Sequence, residues 1–457
     1  MLHAGQLKPT WRSGNLSRRE LLRIGALGPA GLTLADLLRL QAHGQTAAAP
    51  AKSIILLWLW GGPSHLDTFD LKPHAPVEYR GPYTPIDTAV PGIRICELLP
   101  RIARRTDKLA VIRSLHTDSN DHGIAGTIGL TGDIAGAISL GGVTQAGSLR
   151  PTHGSIVSRI TGFTPEMPRF VTVGQHLHQG HKPIAGEGAA ALGPMHDPFR
   201  MDYDPHSGVQ LPALELLDGV TPSGLDNRAA LRSQLDLTAR RVDETLATAR
   251  LDEFYQQAFA LLTSPASRAV FDLEQEPADL RRRYGQFRFG QCCLMARRLV
   301  EAGVRFVQVN WSSHVEPVED TGDGGWDMHD RYFQQYQDRH AWMLDRSLSA
   351  LLDDLSQRGL LDETIVIALG EFGRTPKING KSGRDHWHHC YSGLITGGGF
   401  RTGQVIGESD PQAEYPVLRP ITPADLFTTA LNQIGIGTPQ LTEAGLLPIG
   451  EMIEELV

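Results

Sequence analysis

The residues with the chemistry to form a site fall between Thr364 and Phe400. An apolar run, Thr364-Ile365-Val366-Ile367-Ala368-Leu369, stops at Gly370 and gives way to Glu371, Arg374, Asp385, His386, His388 and His389. A carboxylate at a strand end, with imidazoles some fifteen residues on, is the donor set of a metal site built from oxygen and nitrogen. Asp and His are also common in polar loops, and one cluster alone reads as a solvated loop. Two more clusters on distant segments, Trp326-Asp327-Met328-His329 and Asp118 to His122, argue against that reading.

Such groups need a frame. Thr364–Leu369 reads as a strand buried on both faces, and in parallel α/β sheets ligands bind beyond the carboxyl ends of strands. Lys52–Trp60 is a second run of this kind. It ends at Gly61-Gly62-Pro63, with Ser64, His65, Asp67 and Asp70 following. The glycine pair lacks the G-x-G-x-x-G spacing of a dinucleotide fold. Further strands are expected at 109–112, 170–173, 305–310 and 365–369, with an edge strand or hairpin arm at 401–407. Helices are expected over 97–107, 124–130, 153–160, 226–260, 278–302, from Trp326 to about Leu355, and from Thr422 to near Gly435. Residues 133–150 read as a mobile loop. The histidine-rich stretch 174–210 reads as a long loop over the active face, where His176, His178 and His181 have the chemistry to bind metal or substrate. Alternating strands and helices imply an α/β fold, a largely parallel central sheet with helices on both faces.

The chain has 457 residues, 41% of them hydrophobic and 21% charged, which is ordinary for a globular protein. Residues 1–49 read as a twin-arginine signal peptide: Ser17-Arg18-Arg19, a weakly apolar run from Ile24 to Leu40, and Ala47-Ala48-Ala49 for cleavage. That address implies a periplasmic or extracellular protein. Residues 50–457 are expected to form a single domain with a helical and loop insertion around 174–290. No segment of the mature chain reads as an integral membrane span. The whole chain carries −8 at pH 7. Residues 1–49 hold six Lys/Arg and two Asp/Glu, so the remainder is near −12. This excess of negative charge argues against nucleic acid as a partner. Cys96, Cys292, Cys293 and Cys390 show no zinc-finger spacing.

Several motifs together resemble the bacterial "domain of unknown function 1501" family. They are Gly61-Gly62-Pro63-Ser64 with Asp67 and Asp70, Asp121-His122-Gly123 with Leu130-Thr131-Gly132, and Ala296 to Val304. Trp326-Asp327-x-His329, Gly370 to Pro376 and Gly383-Arg384-Asp385-His386-Trp387 complete the set. That family in turn resembles the alkaline phosphatase and sulfatase superfamily. The resemblance implies metal-binding carboxylates and histidines at the strand ends of one sheet, with Asp67 as the nearest match to the first-strand aspartate. Phe372 stands where the superfamily has a metal-binding His, which implies that one of two metal sites is lost or rebuilt. The superfamily nucleophile precedes a Thr-Gly pair at a helix end. Counting back nine residues from Thr131 reaches His122, whereas the Thr117-Asp118-Ser119 context favours Ser119. There is no Cys-x-Pro-x-Arg, which argues against a formylglycine sulfatase.

On this reading Asp67, Asp327, His329, Glu371 and His386 hold one or two divalent metals, zinc or manganese by donor type, or calcium if oxygen dominates. Arg374 binds the substrate's anionic group as a planar fork. His122 is a nucleophile, general base or further ligand, with Ser119 the rival nucleophile. The expected activity is hydrolysis of a phosphate or sulfate ester of a small molecule or saccharide. A non-catalytic metal-stabilised binding or scaffold protein is the alternative, and a metal-dependent isomerase or mutase would use the same ligands.

Overall fold

The computed structural model describes residues 51–211, 264–317 and 324–457. The expected signal peptide, the helix expected over 226–260 and part of the expected insertion lie outside them.

Nine strands build one sheet: β1 (Ser53–Trp58), β2 (Ala110–Leu115), β3 (Phe170–Val173), β4 (Phe199–Asp204), β5 (Gly208–Gln210), β6 (Phe306–Asn310), β7 (Thr364–Leu369), β8 (Tyr391–Gly397) and β9 (Gln404–Ile406). Their order across the sheet is β9-β2-β8-β7-β1-β6-β3-β4-β5. Neighbours pair in parallel except β8, which runs against β7 and β2, and β5, which runs against β4. The apolar runs at 53–58 and 364–369 are thus adjacent central strands, buried at every position.

Alternation along these strands sends side chains to two separate cores. Ile55, Leu57, Val307, Val309, Val366 and Ala368 pack with α3 (Arg288–Glu301) and α4 (Ala341–Gln357). Ile54, Leu56, Trp58, Phe306, Ile365 and Ile367 pack on the opposite face with Leu130 of α1 (His122–Thr131), α2 (His153–Thr161) and α5 (Pro423–Gln433). The small residues of α1 let it lie directly on the sheet. A Cβ at Gly129 would sit 2.3 Å from the Trp58 ring, so nothing larger than glycine fits there. That close approach brings the first turn of α1 to the carboxyl end of β1.

Several expectations change. No helix opens at Trp326: Tyr332–Gln335 starts it, a π turn over Tyr336–His340 follows, and α4 continues to Gln357. Asp327 therefore caps nothing. The helix expected over 278–302 is two, Ala278–Tyr284 and α3, parted at Gly285. The stretch 174–210 is not all loop, because β4 and β5 extend the sheet. In the nearby 133–150 segment, Leu140 donates its backbone N–H to the Asp121 carboxylate at 2.9 Å.

A buried ion network ties the helical face together. Arg297 of α3, 1% exposed, meets Glu276 at 2.7 Å, Glu301 at 2.6 Å and Asp354 of α4 at 2.9 Å. Removing one partner of a buried pair leaves uncompensated charge inside. Arg297→Ala is therefore expected to cost about 3–5 kcal/mol in urea unfolding. The same change at exposed Arg282, paired with Asp279 on the surface, should leave the midpoint where it is.

Candidate metal centre

The site is assembled at the carboxyl ends of β1 and β7. Beyond β1 the chain turns at Gly61, whose φ of +106° suits glycine. A Cβ there would lie 2.5 Å from the backbone nitrogens of Trp326 and Asp327. The missing side chain lets the 324–329 segment dock on β1, with Trp326 donating to the Trp60 carbonyl at 2.8 Å. Asp327 is held next to it, its N–H on the Val315 carbonyl at 3.0 Å.

Glu371 emerges two residues after β7 and is fully buried. The Gly61 N–H donates to its two oxygens at 3.0 and 3.2 Å, and His122 Nδ1 lies 2.6 Å from Oε1. His122 is the first residue of α1, just after the cap Asp121, whose side chain accepts the Ile124 N–H at 3.1 Å. His386 comes from a two-residue ribbon in which it pairs with Arg374.

Each of three imidazoles gives Nδ1 to an oxygen and turns Nε2 toward Asp327. His122 Nδ1 meets Glu371, His386 Nδ1 meets the Asn120 carbonyl at 2.7 Å, and His329 Nδ1 meets Asp385 at 2.7 Å. The three Nε2 atoms lie 3.4, 2.9 and 2.9 Å from the Asp327 carboxylate respectively. His329 and His386 Nε2 are themselves 2.9 Å apart. Fixing Nδ1–H by an oxygen selects the tautomer whose Nε2 lone pair is free for a metal. His122 Nε2 is buried with no hydrogen-bond partner. The donor atoms of His122, Asp327 and His386 all lie within 4.8 Å of one another. Two imidazoles and a carboxylate, with a third imidazole beside them, fit a divalent transition metal.

The electrostatics follow from this crowding. Burial works against charge on His122, but Asp327 and Glu371 outweigh it and raise its pKa to about 9. Burial also pushes the Asp327 carboxyl up, yet Arg374 and the imidazoles bring it well below the usual range. Burial wins at His386, lowered to about 4 despite Asp327. The two carboxylates thus favour a positive charge at His122.

The remaining expected site residues are arranged differently. Arg374 is fully buried: it bonds the Gly61 and Gly62 carbonyls and meets Asp327 Oδ1 at 2.7 Å. It tethers the ligand carboxylate and does not present a fork to an open cleft. Asp67 is drawn off into a buried ion pair with Arg384 at 2.7 Å and a hydrogen bond from Ser64 at 2.5 Å. It is not among the converging donors. Ser119 Oγ accepts the Asp121 N–H at 3.0 Å and makes no bond to the group. Phe372, also fully buried, packs its ring against His122 and His386 with centroids 4.8 and 4.6 Å away. It fills space beside the imidazoles and offers no donor. The Asn120 carbonyl was not foreseen as an orienting group, and no sequence signal marks a backbone oxygen. The centre opens to water on one side, where the His329 side chain is 41% exposed.

A family model described as "Protein of unknown function (DUF1501)" matches residues 51–446. The chain belongs to this family. No curated protein sequence matches it. Among solved structures, the lipoteichoic acid synthase LtaP from Listeria monocytogenes overlaps 90% of this chain and 77% of its own, at 12% identity and a TM-score of 0.41. The PsFucS1 sulfatase from Pseudoalteromonas sp. overlaps 92% and 73%, at 12% identity and a TM-score of 0.38. The phosphonate monoester hydrolase SpPMH from Silicibacter pomeroyi overlaps 78% and 71%, at 12% identity and 0.34. Overlaps of this size establish neither a shared site nor a shared chemistry for this DUF1501 protein.

Two pH effects are expected. His122, raised from 6.5 to about 9, stabilises the metal-free fold below pH 6.5, and that contribution is lost as pH rises through 9. His386 and the buried His340, both lowered to about 4, act in the opposite sense and withdraw stability as pH falls from 6.5 through 4. Thermal melts of metal-free protein should peak near pH 6.5. Zinc uptake at neutral pH should release a proton from His122, read by calorimetry in two buffers of different ionisation enthalpy. Uptake with no proton release would contradict the assignment.

Proposed function

We propose that this chain is an exported, divalent-metal-dependent hydrolase of phosphate or sulfate esters, acting on a small-molecule or saccharide substrate. The observation that carries the reading is the convergence of three oriented Nε2 atoms on the Asp327 carboxylate, that of His122 fully buried. His122, His386 and Asp327, with His329 alongside, would hold the ion. A divalent ion bound there supplies Lewis-acid activation of water and neutralises charge on the ester.

The protein's own residues prepare that chemistry. Glu371 holds the proton at His122 Nδ1, and Arg374 fixes the Asp327 carboxylate. Asp385 and the Asn120 carbonyl hold the rings of His329 and His386. With His122 neutral, the three carboxylates of Asp327, Glu371 and Asp385 would balance Arg374 and a bound divalent ion. Ser119 Oγ is engaged by the Asp121 N–H, and water is the attacking species this reading assigns. Motif positions at the strand ends and the N-terminal Ser17-Arg18-Arg19 pattern support the superfamily and export parts of the reading.

The full burial of His122 and Arg374, with Phe372 against the imidazoles, favours a second reading: a metal-stabilised binding protein without turnover. One set of proteins separates the two. Asp327→Asn and His386→Ala should each lose bound zinc or manganese by elemental mass spectrometry. Both should also fall by about a hundredfold or more in hydrolysis of aryl phosphates or sulfates, whereas Ser119→Ala keeps both properties. Stoichiometric metal with no hydrolysis selects the binding protein. No metal in the wild type ends both readings.

A further inference from the structure

Two short helical turns, Pro100–Ala103 and Thr106–Lys108, lead into β2. Ile102, Ala103 and Thr106 are buried. The cationic side chains between them turn outward. Arg101, Arg104, Arg105 and Lys108 line one cleft of about 650 Å³, together with Asp107 and Asp353. β8 runs against both β7 and β2, so β2 and β7 point the same way. The metal centre lies beyond the carboxyl ends of β1 and β7. This cleft lies before the amino end of β2, at the other end of the sheet.

The cations outnumber their local partners. Arg105 is committed: its Nε and Nη2 reach the Asp353 oxygens at 2.7 and 2.5 Å. Arg283 approaches the same carboxylate at 3.6 Å. Arg101, its side chain 56% exposed, stands 3.9 Å from Asp345, whose oxygens already accept the Arg101 and Ile102 N–H groups. Lys108 donates to the Ser356 hydroxyl at 3.3 Å. Among the described residues no carboxylate pairs with Lys108 or with the exposed Arg104. Four Arg/Lys against two Asp leave the cleft at +2, in a chain whose overall charge is −8. Gathering like charges is unfavourable without a counter-charge. A bound anion supplies one.

The lining narrows the kind of anion. Guanidinium forks match the paired oxygens of sulfate and phosphate groups. Cations spread along residues 101–108 give more than one such group a partner. Asp107 and Asp353 repel a ligand that is anionic throughout, but they accept hydrogen bonds from hydroxyls. The cleft has no aromatic ring on which a base could stack, and Pro100 is its one apolar side chain, too little to enter a lipid layer. A chain that alternates anionic groups with hydroxyls satisfies all of these conditions. We infer that this cleft is a second ligand site, separate from the metal centre, for a sulfated or phosphorylated saccharide. It holds the saccharide without transforming it, and it stands whether or not the metal centre hydrolyses esters.

The test is binding of a fluorescein-labelled heparin hexasaccharide, as a sulfated probe, to the full chain stripped of metal with chelator. Fluorescence anisotropy compares wild type with Arg104→Ala/Lys108→Ala and with Arg282→Ala, which removes a cation outside the cleft. The double variant is expected to bind about tenfold or more weakly, with a shallower dependence on salt, while Arg282→Ala matches wild type. Melting midpoints equal to wild type show that the loss is one of binding. Should the double variant melt early, Arg104→Glu alone gives the same readout. Equal affinity in wild type and the cleft variants overturns the inference. So does a single-stranded oligonucleotide of equal charge, or a vesicle of anionic phospholipid, bound as tightly as the hexasaccharide. Binding that appears only after zinc is restored would place the probe at the metal centre and would also overturn it.

Discussion

The buried carboxylate of Asp327 is the constraint on which the site depends. A lone charge at that depth would be strongly unfavourable, and the surrounding structure reads as compensation for it. Arg374 supplies one positive charge and anchors to the two glycine carbonyls that end the β1 turn. The imidazoles supply the rest, as a proton on His122 or through a shared ion. Gly61 must be glycine because the backbone carrying Asp327 passes where its Cβ would stand. The docking of α1 on Trp58 through Gly129 sets how near His122 can come. Sheet register, helix packing and a single carboxylate are thus parts of one arrangement.

Around that centre lies a shell of buried ion pairs that link loops remote in sequence. Arg384 joins Asp67 and also bonds the Thr375, Pro376 and Tyr79 carbonyls, which ties the loop after β1 to the ribbon bearing His386. These contacts explain why charged residues near the candidate metal centre do not all converge on it. Asp67 and Arg374 have the types and positions for chemistry, yet both are used to hold polar loops together in the interior.

The sheet was legible where sequence constraint is local and strong. The runs 53–58 and 364–369 are apolar at successive positions because both faces of each strand are covered, and that pattern alone marks them as central. The strands at 199–204 and 208–210 were not legible, since their sequence is largely polar and only the pairing of β4 with β3, and of β5 with β4, makes them part of the sheet. Asp327 stands a few residues before a helical pattern and so looks like a cap. The actual start at Tyr332, after Arg331 at a φ of +46°, is set by tertiary contacts of the 379–384 loop. His122, His329, His386, Asp327 and Glu371 lie in the three clusters that residue type and spacing single out, and the structure brings them together. That Glu371 reaches His122 Nδ1 and Asp385 reaches His329 Nδ1 was not legible, because it depends on which oxygen each loop brings to each ring.

The most direct measurement is X-ray absorption at the zinc edge on protein loaded with a single equivalent, in wild type and in Asp327→Asn. The account predicts a first shell of mixed nitrogen and oxygen at about 2.0–2.1 Å, with the outer-shell scattering of two or three imidazoles, lost in the variant. A shell of oxygen alone in wild type, or an imidazole signature that survives in Asp327→Asn, would contradict it.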